Sequence, residues 1–234
     1  MCTLTFYPTT DSGFILTSSR DEAPQRKTLL PEEYDVEGSK LIFPKDAVAG
    51  GTWLGVSDRQ RLVCLLNGGF EPHIRKESYR MSRGIIVTSL LTAVNAVAEV
   101  HHFDFTGIEP FTVVIVDWTE TLKIHELVWD GANSHFSEKS LQPHIWSSSL
   151  LYPKDVKRKR QVWFSDLLKD DLAMDGNALL NFHKTAGDGN PHSDLVMDMG
   201  FVKTKSISQI EKNADLGTFV YEDLQTKESK KLKF

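Results

Sequence analysis

The amino-acid sequence predicts an α+β fold of layered, mainly antiparallel sheets, and three observations carry that expectation. Segments of apolar periodicity run in the order strands, helix, strands, helices, strands, which favours antiparallel layers over a doubly wound parallel sheet. The chain has 234 residues, 40% of them hydrophobic and 25% charged, enough for a sizeable core without disulfide staples. Neither an internal repeat nor a low-complexity linker interrupts it, so residues 1–234 are expected to form a single domain.

The elements follow in order. Residues 3–7 and 14–17 are short β-type runs separated by Pro8, Asp11, Ser12 and Gly13, the signature of a hairpin. The second run leads directly into Ser19-Arg20-Asp21-Glu22. Residues 23–40 hold Pro24, Pro31 and many charges and are expected to be a surface loop. Residues 41–43, 52–57 and 62–67 form three further strands, with Gly50-Gly51 and Gly68-Gly69 marking tight turns. Across residues 82–100, Val87, Leu90, Leu91, Val94, Val97 and Ala98 recur at helical spacing and predict one helix. The apolar run 112–117 pairs with 122–129. Pro153 suits the first turn of a helix reaching residue 168, with Val156, Trp163, Phe164, Leu167 and Leu168 inward. A second helix covers 178–183, strands follow at 201–205 and 218–223, and the basic tail from Thr226 is a frayed end or an edge strand.

Composition removes several classes of function. The net charge of −5 argues against a nucleic-acid partner. Two cysteines, Cys2 and Cys64, exclude a disulfide framework. The N-terminal residues lack the basic and apolar regions of a signal peptide. The apolar stretch 85–100 carries Thr88, Ser89, Thr92, Asn95 and Glu99 and is too short and polar to span a bilayer. No lipidation motif is present, so a cytoplasmic chain with no stable membrane anchor is expected. Phosphate-loop, dinucleotide, serine-hydrolase and zinc-protease motifs are missing. The adjacent His101 and His102 read as a polar helix end. His183 and His192 lack a carboxylate at ligand spacing, so no metal site is expected. Lys154, Lys157, Arg158, Lys159 and Arg160 read as a solvated helix face. Cys64 sits in an alternating apolar strand and reads as packing.

Cys2 is different. Once Met1 is removed, Cys2 carries both a thiol and a free α-amine. The amine titrates at about 7.7–8.0 and the thiol at about 8.5, so one residue supplies nucleophile and general base together. Such a site needs an acceptor for the amine and donors for an oxyanion. A hairpin turn near residues 9–13 puts position 20 beside position 2, which brings Arg20 and Asp21 to the nucleophile. Asn67 ends another strand before two glycines and is a candidate oxyanion donor. Trp53 is expected in the core or in a pocket wall.

The second-position cysteine, Ser19-Arg20-Asp21-Glu22, the Gly50-Gly51-Thr52-Trp53-Leu54-Gly55 block and Leu66-Asn67 together resemble the NRDE family of transport and Golgi organisation 2 proteins. That family is similar to the N-terminal nucleophile hydrolases, such as choloylglycine hydrolase and penicillin V acylase. Ser147-Ser148-Ser149 with Pro153-Lys154, and Lys203-Thr204-Lys205-Ser206, resemble two later family blocks. The resemblance implies a four-layer αββα sandwich and hydrolysis of a linear amide through a thioester, with no cofactor required. Cys2 would be the nucleophile, Arg20 and Asp21 its holders, Asn67 the oxyanion donor, and Ser149 and Lys205 substrate contacts. Three residues depart from the family pattern: Ser19 replaces an asparagine, Ser149 another asparagine, and Lys205 an arginine. The same resemblance implies an alternative, a non-catalytic protein that binds and traffics haem or an acyl-coenzyme A or other lipid, with Trp53 and Phe70 lining an apolar pocket. Either way the partner is a small-molecule amide or an apolar ligand.

Overall fold

A computed structural model describes residues 3–10, 12–169, 174–214 and 216–234. The chain divides into two compact units, one made of residues 1–25 and 142–234 and the other of 26–141. Each is an antiparallel sheet carrying helices, which gives the expected α+β class, with two antiparallel sheets and four helices among the described residues.

The first unit holds β1 (Thr3–Pro8), β2 (Phe14–Glu22), β10 (His144–Ser147), β11 (Lys203–Lys212), β12 (Gly217–Asp223) and β13 (Ser229–Lys233) in the order β10-β1-β2-β11-β12-β13. The N-terminal hairpin pairs from Thr3↔Ser19 to Pro8↔Phe14, as its turn residues dictate. Two helices belong to this sheet, α3 (Lys154–Leu167) and α4 (Gly176–Thr185). Pro153 directly precedes α3, and Asp175 caps α4 by accepting from the Ala178 amide at 2.8 Å. Ile15, Phe164, Leu179, Phe182 and Leu195 form the apolar core between these helices and the sheet. The basic tail is an edge strand, with Lys230, Lys231 and Lys233 on β13, charges that discourage further strand addition.

The second unit holds β3 (Thr28–Val36), β4 (Ser39–Asp46), β5 (Leu54–Ser57), β6 (Arg61–Asn67), β7 (Phe111–Asp117), β8 (Lys123–Trp129) and β9 (Ser134–Lys139), paired in sequence order. Helices α1 (Gly84–Thr92) and α2 (Ala96–His102) complete it. Leu41, Phe43, Val63, Leu65, Val113 and Ile115 of the sheet meet Ile86, Val87, Leu90 and Leu91 of α1 in its core.

Two expectations are corrected here. The surface loop expected over 23–40 is largely strand: β3 pairs with β4, and Pro31 is accommodated where the register shifts between Leu29 and Glu32. A proline survives there because β3 is an edge strand and the shift removes the need for its missing donor. The single helix expected over 82–100 is broken at 93–95. Asn95 leaves helical geometry and caps α2, accepting from the Ala98 amide at 2.9 Å. The open end of α1 is closed by Arg61, whose Nη1 donates to the carbonyls of Leu90 at 2.9 Å and Ala93 at 2.8 Å. The same guanidinium meets Asp117, directly opposite on β7, at 2.9 Å. Arg61 is 2% exposed, and its removal takes the donor from one buried carbonyl and from two part-buried acceptors, the Ala93 carbonyl and the Asp117 carboxylate.

Arg61→Leu should therefore lower unfolding stability by about 2–3 kcal/mol, read as a shift in denaturant midpoint at unchanged slope. A loss below about 0.5 kcal/mol would show that this junction is held by apolar packing alone.

Candidate active site

In the first unit, the residues that the sequence marks for chemistry collect at one end of the sheet. β1 starts at Thr3, the neighbour of Cys2; β2 ends in Arg20, Asp21 and Glu22; β11 starts at Lys203; β10 ends at Ser147, which pairs with Thr3. Cys2 itself lies outside the described residues. The observed register, Thr3↔Ser19, leaves Arg20 as the next residue of β2. Lys205 reaches the same end through a bulge: Thr204 pairs with Asp21 and Ser206 with Arg20, leaving Lys205 as the extra residue. Its Nζ donates to the Pro24 carbonyl at 2.8 Å. Ser149 is buried and accepts from Lys157 Nζ at 2.6 Å.

Asp21 is the best-held carboxylate here. It is 2% exposed. Thr204 Oγ1 donates to its Oδ1 at 2.6 Å, and the Tyr152 hydroxyl donates to its Oδ2. Donors to both oxygens fix the rotamer of this buried side chain. Arg20, 3% exposed, makes an ion pair with Glu22 at 3.8 Å.

Behind this end lies a layer of buried polar groups that sequence reasoning missed. Arg160 is wholly buried, which corrects the solvated-face expectation for that residue. Its Nε and Nη2 donate to the carbonyls of Ser193 at 3.1 Å and Asp194 at 2.7 Å, its Nη1 donates to Thr3 Oγ1, and its guanidinium lies 3.7 Å over the Tyr152 ring. The signal was in the spacing: Val156, Arg160 and Phe164 share one helical face. His183 is also fully buried, between Thr5 Oγ1 at 2.9 Å and Ser19 Oγ at 2.8 Å. Ser19 thus carries a ring partner that fits the short hydroxyl standing where the family pattern has asparagine. Burial, with a smaller contribution from the Arg160 charge, pushes His183 down to about 3.

Asn67, Trp53 and Phe70 belong to the second unit. Asn67 is the last residue of β6 and pairs with Phe111. Trp53 is 5% exposed and its carbonyl accepts from the Leu65 amide at 2.8 Å. Phe70 is 53% exposed, with its ring against His135 at 4.9 Å. Cys64 is fully buried in β6, as its alternation implies. Among the described residues, no group of three or more His, Cys, Asp or Glu side chains could hold a metal, and no helix is long and apolar enough to cross a membrane.

Comparison with known proteins places this geometry. The family model described as Transport and Golgi organisation 2 matches residues 1–195. A search of the curated proteins finds no match. Among solved structures, a conjugated bile acid hydrolase variant from Clostridium perfringens is similar at TM-score 0.58 and 10% identity, covering 99% of this chain and 92% of that one. Penicillin V acylase from Agrobacterium tumefaciens gives 0.57 and 9%, covering 100% and 86%. The Caenorhabditis elegans ortholog of N-acylethanolamine-hydrolyzing acid amidase gives 0.61 and 9%, covering 89% and 92%. At these identities the likeness is one of fold.

His183 yields a stability prediction. Its native value near 3 lies below the ordinary 6.5, so between those values the unfolded chain binds a proton that the native chain refuses. Stability falls as pH drops below 6.5, by up to about 1.4 kcal/mol per unit. His183→Gln, which can serve both hydroxyls without titrating, should flatten that slope between pH 6 and pH 4 in denaturant titrations. An unchanged slope would mean that His183 titrates in the native protein.

Proposed function

The chain belongs to the Transport and Golgi organisation 2 family, and from that premise we propose that it is a cysteine N-terminal nucleophile hydrolase acting on linear amides. The single observation that carries the proposal is the strand register, which ends the β1–β2 pairing at Thr3↔Ser19 and puts the buried, doubly hydrogen-bonded Asp21 two residues further along. The names of the matched structures, a hydrolase, an acylase and an amidase, support it. So does a further match, the bile acid hydrolase solved with the cysteine at its second position changed to alanine.

In this mechanism, loss of Met1 frees the Cys2 amine, and the neutral amine takes the thiol proton. The thiolate attacks the amide carbon, and the negative charge on oxygen is met by hydrogen-bond donors. Collapse breaks the C–N bond. The leaving amine receives the proton from the Cys2 ammonium and departs, leaving a thioester. Water, deprotonated by the same amine, then attacks that thioester and releases the acid and the thiol. Asp21 keeps the α-amine oriented, and Arg20 supplies a buried positive charge that favours thiolate. Ser149 and Lys205 line the acyl or amine side of the site. The reaction needs no cofactor and proceeds in the cytoplasm.

Intact mass should show a chain one methionine lighter than the gene product. Against a panel of N-acyl amides with apolar acyl groups, Cys2→Ala should abolish turnover. Retained Met1, or equal turnover by Cys2→Ala, would overturn the proposal.

A further inference from the structure

We infer that Arg160 and Tyr152 form a buried positioning pair that sets the geometry of the Cys2 nucleophile; this rests on the hydrolase reading above. An arginine on a surface helix ordinarily runs its stem along the protein and leaves its charge in water. Arg160 does the opposite and is completely buried. Among the described residues no carboxylate touches it; its partners are two carbonyls, one hydroxyl and one ring face. Burying a guanidinium without a counter-ion is costly, and the carbonyls of Ser193 and Asp194 account for only two of its arms.

The other two contacts lead to the proposed site. Nη1 donates to Thr3 Oγ1. Thr3 is bonded to Cys2, and across a trans peptide neighbouring Cα atoms lie about 3.8 Å apart. A hydrogen bond that fixes Thr3 therefore restricts where the nucleophile's backbone can go. On its other side the guanidinium covers the Tyr152 ring, and Tyr152, 1% exposed, donates its hydroxyl to Asp21. A cation over the ring draws density from the phenol and makes its O–H a stronger donor. One cation thus reaches the covalent neighbour of Cys2 and, through Tyr152, the carboxylate assigned to the Cys2 amine. Helix α3, β1, β2 and residues Ser193 and Asp194 are tied together by the same contacts. Neither residue meets substrate; both act through Thr3 and Asp21.

The test uses the whole protein and the reactivity of Cys2 toward iodoacetamide at neutral pH. Cys64 is 0% exposed, and a Cys2→Ala control reports any labelling there. Tyr152→Phe and Thr3→Val should each slow Cys2 alkylation by about 10-fold or more, while Thr3→Ser, which keeps the hydroxyl, should label like the natural protein. Arg160→Met should slow it at least as much, with Arg160→Lys between. Thermal melts identify variants that fold, and if Arg160→Met does not, the near-isosteric Tyr152→Phe and Thr3→Val decide the outcome. Natural labelling rates in both of these folded variants would overturn the inference. That result leaves the hydrolase reading intact if turnover still depends on Cys2. Turnover unaffected by Cys2→Ala sinks the reading instead, whatever the labelling rates.

Discussion

The antiparallel register of β1 against β2 is the constraint on which the arrangement of the first unit depends. Side chains on a strand alternate between faces, so a slip of one residue would exchange every buried group on the hairpin. The register Thr3↔Ser19 is over-determined. Leu4, Phe6, Phe14 and Leu16 are buried among apolar groups, while Thr3, Thr5, Thr17 and Ser19 face hydrogen-bonding partners from the helices and β11. Shifting the strand would press threonine hydroxyls into apolar packing and face phenylalanine rings with Arg160 and His183. The position of Arg20 and Asp21 relative to the start of β1 follows from that arithmetic.

Polar burial is what makes the arrangement rigid. Arg160, His183 and Gln209 each reach across from a helix or a neighbouring strand to a hydroxyl on β1 or β2. Gln209 also donates to the Gly176 carbonyl at 2.8 Å, tying α4 to β11. Each group has its partners, and a satisfied polar layer specifies one geometry more sharply than apolar packing does. Arg61 has a comparable role in the second unit, where it holds the break between α1 and α2.

Much of this was legible in the residues. The hairpin, the β7–β8 pair and both helices of the first unit follow from turn formers, Pro153 and apolar spacing. The register that sets Arg20 and Asp21 just past the Thr3↔Ser19 pair follows from counting across a turn. The misreadings share a cause. Pro31 and the charges of 28–36 suit an edge strand as well as a loop, and composition alone does not distinguish them. The α1–α2 break is made by Arg61, which is more than 20 residues away in sequence, so helical periodicity runs straight through it. Arg160 sits in a run of charged neighbours that suits a solvated face, although its spacing from Val156 and Phe164 puts it on the inward one. Tyr152 and Thr204 have no local signature; only the meeting of β2, β11 and the segment after β10 makes them partners of Asp21.

Function in this reading turns on whether the Cys2 thiol, activated by its own freed amine, carries the acyl group during turnover. Rapid acid quench during hydrolysis of an N-acyl amide, followed by mass spectrometry of the N-terminal peptide, tests it directly. A nucleophilic Cys2 should give a peptide beginning at Cys2 and bearing one acyl group on sulfur, which disappears when substrate is exhausted. An unmodified Cys2 during active turnover, or a peptide still beginning with Met1, would contradict it.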